Sequence, residues 1–259
     1  MRSGLHPRLR HAAYAVLARN LLVWRKMMKS SIVINFGEPL LYLVGLGFGL
    51  GLFIGQQMEM PYLTFLASGI LASSAMNTAS FEALFGVFTR MVPQKTYDAM
   101  LASPLEIPDI VVGELLWCAF KSVIHGAGIL AVAAALGAVA DWNALWVLPI
   151  LFLVGLTFAA LALIMTGLAS SYASFSYYTT LVMMPLMLMS GVFYPITALP
   201  EILQKFLYAL PLVHAVQLIR PLMAGLPVTN VVLHLAVLAA YGIGGYLIAL
   251  QLIRKRLQV

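Results

Sequence analysis

Leu145-Trp-Val-Leu-Pro-Ile-Leu-Phe-Leu-Val-Gly-Leu-Thr-Phe-Ala-Ala-Leu-Ala-Leu-Ile-Met-Thr-Gly-Leu168 runs for 24 residues without a charge. A bilayer's hydrocarbon core of about 30 Å takes about 20 helical residues to cross, so this stretch is long enough to span it. Five further apolar stretches lie at 32–54, 62–88, 111–139, 177–192 and 231–253. Their apolar residues are continuous rather than alternating, which excludes the strands of a membrane barrel. Composition agrees: 62% of the 259 residues are apolar and 9% charged, where soluble domains carry about 25% charged. A cytosolic enzyme, a disulfide-rich secreted module and a disordered tail are excluded. The expected fold class is all-α integral membrane with six transmembrane helices.

The formal charge of +6 does not point to nucleic acid, because the basic residues sit at the ends of spans. Arg2, Arg8, Arg10, Arg19, Arg25, Lys26 and Lys29 precede the first span. Arg90 and Lys95 follow the second, and Arg254, Lys255 and Arg256 follow the sixth. The opposite loops Gln56–Met60 and Ala140–Ala144 hold no Lys or Arg. By the positive-inside rule the protein is multi-pass with both termini in the cytoplasm. The single Cys118 forms no internal disulfide and no zinc site. His214 and His234 have no further ligand at metal spacing, so no metal is expected.

Residues 1–30 lack the apolar core and cleavage site of a signal peptide. Leu9, Ala13, Val16, Asn20, Trp24 and Met27 recur at helical spacing with cations around them. That pattern predicts an N-terminal amphipathic interfacial helix in the cytoplasmic headgroup layer, with a mitochondrial transit peptide as the alternative.

Three places depart from plain apolar sequence. Gly47, Gly51 and Gly55 recur every four residues along the first span, a face for close helix packing rather than a nucleotide fingerprint. In the inner loop, Pro93 and Pro104 bracket a short helix, with Tyr97, Met100 and Leu101 as an apolar face beside Lys95 and Asp98. It is either a solvated loop helix or a docking helix for a cytoplasmic partner. On the outer side, residues 190–227 are too apolar for a soluble loop and too broken by proline for a span. Two short helices, Leu199–Ala209 and Val213–Met223, are expected there as an outer re-entrant helical hairpin.

Ionisable residues inside spans are costly and by default mark function. Glu82 lies eight residues before Arg90, about 12 Å into the membrane. Glu114, Lys121 and His125 share one face of the third span, which makes Glu82 and Lys121 a candidate ion pair. Such a pair fixes helix register, contacts a polar substrate, or relays protons. Glu38, before Pro39, sits low in the first span. No P-loop and no G-x-S-x-G or H-E-x-x-H constellation occurs, so neither ATP use nor catalysis is expected of this chain itself.

The stretch Met183-Met-Pro-Leu-Met-Leu-Met-Ser-Gly-Val-Phe-Tyr-Pro-Ile-Thr-Ala-Leu-Pro200, continued by Pro211-Leu-Val-His214 and Arg220, resembles the signature of the ABC-2 family of exporter membrane subunits. Its elements here include Gly191, Pro195, Pro200, Pro211, His214 and Arg220. Further stretches, Arg19–Lys26, Glu38–Gly51 and Ile110–Lys121 among them, resemble the branch that exports lipo-chitooligosaccharide nodulation signals. The resemblance implies a single ABC-2 transmembrane domain over 1–259, with 1–30 as a connecting helix. It makes 92–103 a cytoplasmic coupling helix set into a partner ATPase through Gln94, Lys95, Thr96, Tyr97, Asp98, Met100 and Leu101. The outer segment 190–227 becomes a gate. It further implies a homodimer in a bacterial inner membrane, with two copies of an ATP-binding cassette ATPase that hold ATP and Mg; this chain binds no cofactor. The cargo would be an amphipathic lipo-oligosaccharide or glycolipid that passes Glu38, Glu82, Glu114, Lys121 and His125, with Phe36, Tyr42, Phe85 and Phe88 near the inner mouth. Export of a hydrophobic drug or antibiotic is the neighbouring reading. A proton- or ion-coupled transporter built on Glu82, Lys121 and His125 is the reading from another class.

Overall fold

A computed structural model describes residues 9–49, 51 and 60–257. Among the described residues all regular structure is helical. Helix α1 (Leu9–Gly49) is a single helix of 41 residues with Pro39 inside it. At 1.5 Å per residue it is about 60 Å long, roughly twice a hydrocarbon core, so its N-terminal part extends beyond one. The amphipathic helix expected over 1–30 and the span expected over 32–54 are thus joined in one rod. Residues 1–8, 50 and 52–54 of those two expectations, Gly55 of the glycine face, and the side chains of Phe36 and Glu38 lie outside the described residues.

The chain continues with α2 (Tyr62–Phe81), a π-helical segment Glu82–Val87 and α3 (Phe88–Met91). After a turn come α4 (Thr96–Leu101) and α5 (Ile107–Ala135). A 3-10 turn, Trp142–Trp146, leads into α6 (Val147–Leu168). The next rod is broken into α7 (Ser174–Tyr178), a π-helical Thr179–Met183 and α8 (Met184–Met189). Helices α9 (Glu201–Leu207) and α10 (Pro211–Ala224) meet at 94°, and α11 (Val231–Leu257) closes the chain. The short pair corresponds to the two helices expected inside 190–227.

Three stretches among the described residues are long and apolar enough to cross a membrane: Ile107–Ala135, Trp142–Leu168 and Val231–Leu257. The bent pair α9–α10 makes a fourth if counted as one span. The stretches expected as spans two and five are instead each divided by a π-helical turn. Part of the first expected span lies beyond the described residues.

Local chemistry sets the boundaries. Glu106 and Asp109 form a reciprocal capping box at the start of α5, with Glu106 N donating to Asp109 Oδ2 at 3.0 Å and Pro108 in the first turn. Asp141 accepts from Asn143 N at 2.8 Å and opens the 3-10 turn. The C-terminal end of α6 is capped by Arg256, which donates to Thr166 O, Gly167 O and Ala169 O.

Helix α2 is the axis of the packing. It touches α1, α5, α6 and α10, while α11 lies along α6. Nearly all its residues are buried. Between helices in lipid, close backbone approach does most of the holding. At Gly69, an added Cβ would stand 2.5 Å from Val192 O, so α2 and the turn after α8 meet backbone to side-chain-free face. At Gly113, an added Cβ would stand 2.8 Å from Ala13 O, which sets the N-terminal part of α1 against α5.

Candidate functional site

The close approach at Gly113 lies at the bundle end that carries Arg90 and Arg256, where charges gather. Glu114 of α5 is fully buried and accepts two bonds from Arg90, Nε to Oε1 at 2.9 Å and Nη2 to Oε2 at 2.6 Å. Asn20 of α1 donates to Glu114 Oε2 at 2.8 Å, and Arg19 donates to Asn20 Oδ1 at 3.0 Å. Arg90 Nη1 also reaches Glu82 Oε1 at 3.0 Å. Glu82 further accepts from Trp117 Nε1 at 3.0 Å and from Lys121 Nζ at 2.8 Å. Two carboxylates and two cations therefore form a neutral quartet. That balance, with one further donor on each carboxylate, Trp117 on Glu82 and Asn20 on Glu114, is what allows charges to sit in a dry site. It ties α1, α3, α5 and the π-helical segment into one unit.

The short helix α4 hangs directly beneath this quartet. Tyr97 is fully buried and Met100 nearly so, while Pro93, Gln94, Lys95, Asp98 and Ala99 are exposed. The apolar face expected to meet a partner is thus turned inward, because the quartet's rim and α5 offer it the nearest dry surface. Burial, followed by the Glu114 carboxylate, pushes the Tyr97 phenol well above its ordinary range, so it stays protonated. Lys95, in the left-handed region at φ 49°, makes the turn into α4.

At the opposite end, Arg220 of α10 clamps the outer segment to α2. Its Nε donates to Ser68 Oγ at 3.1 Å and its Nη2 to Gly191 O at 2.7 Å. Its guanidinium lies 3.6 Å over the Phe65 ring. Gly191 takes φ +76°, a left-handed turn in which a Cβ would press on Ile196. His214 Nε2 lies 2.8 Å from Tyr208 O, and only an N–H can face a carbonyl. In the neutral pair, Nδ1 of His214 is then the acceptor for His234 Nδ1–H at 2.7 Å, which joins α10 to α11.

Between these two ends lies a cavity of about 320 Å³ lined by Pro39 and Tyr42 of α1, by one face of α2, and by Met187 and Phe193. The α2 face supplies Ser73, Ser74, Asn77, Thr78 and Phe81. On the far side of α6 runs a wider groove of about 510 Å³, almost wholly apolar, between Leu161, Leu181, Met189, Phe206 and Tyr241.

Comparison with known proteins adds the family. Residues 11–224 match the model of the ABC-2 type transporter. The chain belongs to the ABC-2 transporter family. It is 42% identical to nodulation protein J of Rhizobium meliloti (strain 1021), over 94% of this chain and 93% of that one. It is 44% identical to nodulation protein J of Rhizobium leguminosarum bv. viciae, over 94% of each. A more distant relative is the inner membrane transport permease YadH of Escherichia coli (strain K12), 26% identical over 83% of this chain and 84% of that one. An ABC-2 chain is a transport permease subunit, and the family implies an ATPase subunit as partner.

Within this ABC-2 chain, Glu82, Glu114 and Lys121 come together, and His125, one turn beyond Lys121, has Nδ1 3.3 Å from Thr78 Oγ1. Among the outer residues, Gly191, His214 and Arg220 carry the contacts given above. Pro195 and Pro200 precede a 3-10 turn and α9, and Pro211 starts α10. Sequence reasoning read Arg90 only as a topology marker and missed Asn20 and Trp117 as donors to the quartet. Asn20 had a signal, as the one polar residue on the otherwise apolar face of its helix. The polar lining of the cavity was also missed, because Ser73, Asn77 and Thr78 carry no charge.

Proposed function

We propose that this chain is the permease subunit of an ABC exporter that moves an amphipathic lipo-oligosaccharide or glycolipid across the bacterial inner membrane. It works as a homodimer of six-span subunits, termini in the cytoplasm, driven by two copies of a separate ATPase. The observation that carries the reading is the pair of surfaces on one chain: a cavity lined by hydroxyls, an amide and aromatic rings, and an apolar groove. An amphiphile needs both. Relatedness to nodulation protein J over 94% of the chain supports the same class of cargo.

Coupling follows from the quartet. The exposed Gln94, Lys95 and Asp98 edge of α4 meets the ATPase, and buried Tyr97 and Met100 pass its displacement to the unit that holds α1, α3 and α5. Nothing covalent happens in this chain. Mild-detergent purification from native cells is expected to recover a stoichiometric ATPase, and scrambling residues 92–103 is expected to lose it. In liposomes the complex is expected to move an acylated oligosaccharide only with ATP. Movement driven by a pH gradient without ATPase would overturn the reading in favour of an ion-coupled transporter, and movement of apolar drugs alone would leave the groove as the whole site.

A further inference from the structure

The cavity beside α2 has a chemistry narrower than amphiphile. Among the described residues its polar groups are all neutral: the Tyr42 phenol of α1, and Ser73, Ser74, Asn77 and Thr78 from one stretch of α2. Ser73 Oγ is taken by Ile70 O at 3.2 Å and Thr78 Oγ1 faces His125. Ser74 is 7% exposed, and neither its hydroxyl nor the Asn77 amide has a protein partner among the described residues. An unfilled carboxamide in the last turns of a helix whose other residues are nearly all buried is costly unless the site is wet or occupied. Among the described residues no lining side chain is cationic. The nearest cations on α3 and α5, Arg90 and Lys121, are already held by Glu82 and Glu114, and Arg220 is held by Ser68 and Gly191.

Aromatic rings frame the same cavity. Tyr42 and Phe193 meet edge to face at 5.9 Å across its wall. Phe81 on its rim stacks on Phe85 at 5.8 Å, and Phe85 stacks on Tyr172 at 6.2 Å with the planes 7° apart. These three rings are 45%, 38% and 42% exposed, so each keeps part of its surface open beside the stacking contacts. They form a ladder from the loop between α6 and α7 up to the cavity. An aromatic face carries negative charge and attracts the weakly positive C–H face of a sugar ring, with no demand for one particular hydroxyl pattern. A volume of about 320 Å³ is at the lower end of the about 300–1,000 Å³ of small-molecule sites, so the cavity takes one ring at a time.

We propose that the cavity around Asn77 and Ser74 is a subsite for an uncharged sugar ring of the cargo, and that Phe81, Phe85 and Tyr172 are its approach from the cytoplasmic side. Asn77 and Ser74 exchange hydrogen bonds with the ring's hydroxyl or acetamido groups. A sulfate, phosphate or carboxylate at that ring meets no balancing cation and is rejected. The proposal rests on the export reading above and adds selectivity to it.

The test is equilibrium binding of radiolabelled probes to the full chain in lipid nanodiscs. The probes are a neutral N-acylated chitotetraose, the same molecule bearing one sulfate, and the free fatty acid. The wild-type chain is expected to bind the neutral probe about tenfold more tightly than the sulfated one. Asn77→Leu is expected to lose about tenfold for the neutral probe with fatty-acid binding unchanged, as removal of paired hydrogen bonds predicts. Phe81→Leu, which leaves the polar lining intact, is expected to weaken the neutral probe several-fold and serves if Asn77→Leu does not fold. Equal binding of neutral and sulfated probes, or a neutral-probe affinity untouched by both variants, overturns the subsite while the export reading stands. Failure of the wild-type chain to bind either acylated sugar removes the export reading and the subsite with it.

Discussion

Arg90 Nη1 donates to Glu82 Oε1 across 3.0 Å although the two residues are eight positions apart in a continuous helical rod. In an unbroken α-helix, eight residues turn a side chain about 80° off its starting face. The π-helical segment Glu82–Val87 takes up one extra residue, so the last part of the rod behaves as if seven residues intervened, about 20° off. The widened turn also frees a backbone carbonyl, and Thr166 Oγ1 of α6 donates to Ala83 O at 2.8 Å. The irregularity is what lets one arginine serve both Glu82 and Glu114.

Gly86 sits under that contact, with an added Cβ falling on the Glu82 carboxylate. Arg90, Lys121 and Trp117 pin this carboxylate, so it has nowhere to move. Gly86→Ala is therefore expected to cost about 2 kcal/mol, where Ala in a helix usually helps. A rise in melting temperature of the detergent-solubilised protein would contradict this geometry.

Removal of Arg90 leaves Glu114 fully buried with only Asn20 to bond it. Arg90→Gln should destabilise by about 3–5 kcal/mol, since a buried charge loses its counter-charge. Addition of Glu114→Gln removes the orphan charge and should recover most of the monodisperse protein on size exclusion. A double variant as unstable as the single one would mean that the two residues do not act as a pair.

Tyr97 reports on coupling. Tyr97→Ala opens a hole beneath the quartet and should leave the ATPase bound while ATP-driven transport falls at least tenfold. Tyr97→Phe keeps the ring in place and should retain most of the transport. Equal activity of the alanine variant and the wild type would show that displacement reaches the spans by another route.

At the outer end, Arg220→Lys keeps the charge and loses both the forked hydrogen bonds and the stacking on Phe65. A loss of about 2 kcal/mol is expected, with faster protease cleavage near Gly191. Unchanged cleavage kinetics would place the restraint on the segment elsewhere.

Much of the fold was legible because its determinants are local. Continuous apolar runs announce helices, and prolines bracket α4 and break the outer segment into α9 and α10. The candidate site was only half legible. Glu82 and Lys121 stood out because a charge inside an apolar run is anomalous wherever it lies. Arg90 did not, since its partnership depends on a π-turn that apolar periodicity does not encode. The inward turn of Tyr97 was equally hidden: an apolar face on a short helix reads the same whether it meets a partner or its own bundle.

The chain's residues alone settle that it is a helical membrane protein of the ABC-2 family, because hydrophobicity and span length act residue by residue and the family's signature is linear. The tertiary structure decides which helices meet. It brings Glu114, Arg90, Glu82 and Lys121 from α5, α3 and the π-turn into one neutral cluster, and it turns the uncharged face of α2 toward Tyr42 and Phe193 to form a cavity. Both depend on the rotation of packed helices about their axes, which no single stretch of sequence specifies and which close contacts at Gly69, Gly86 and Gly113 fix.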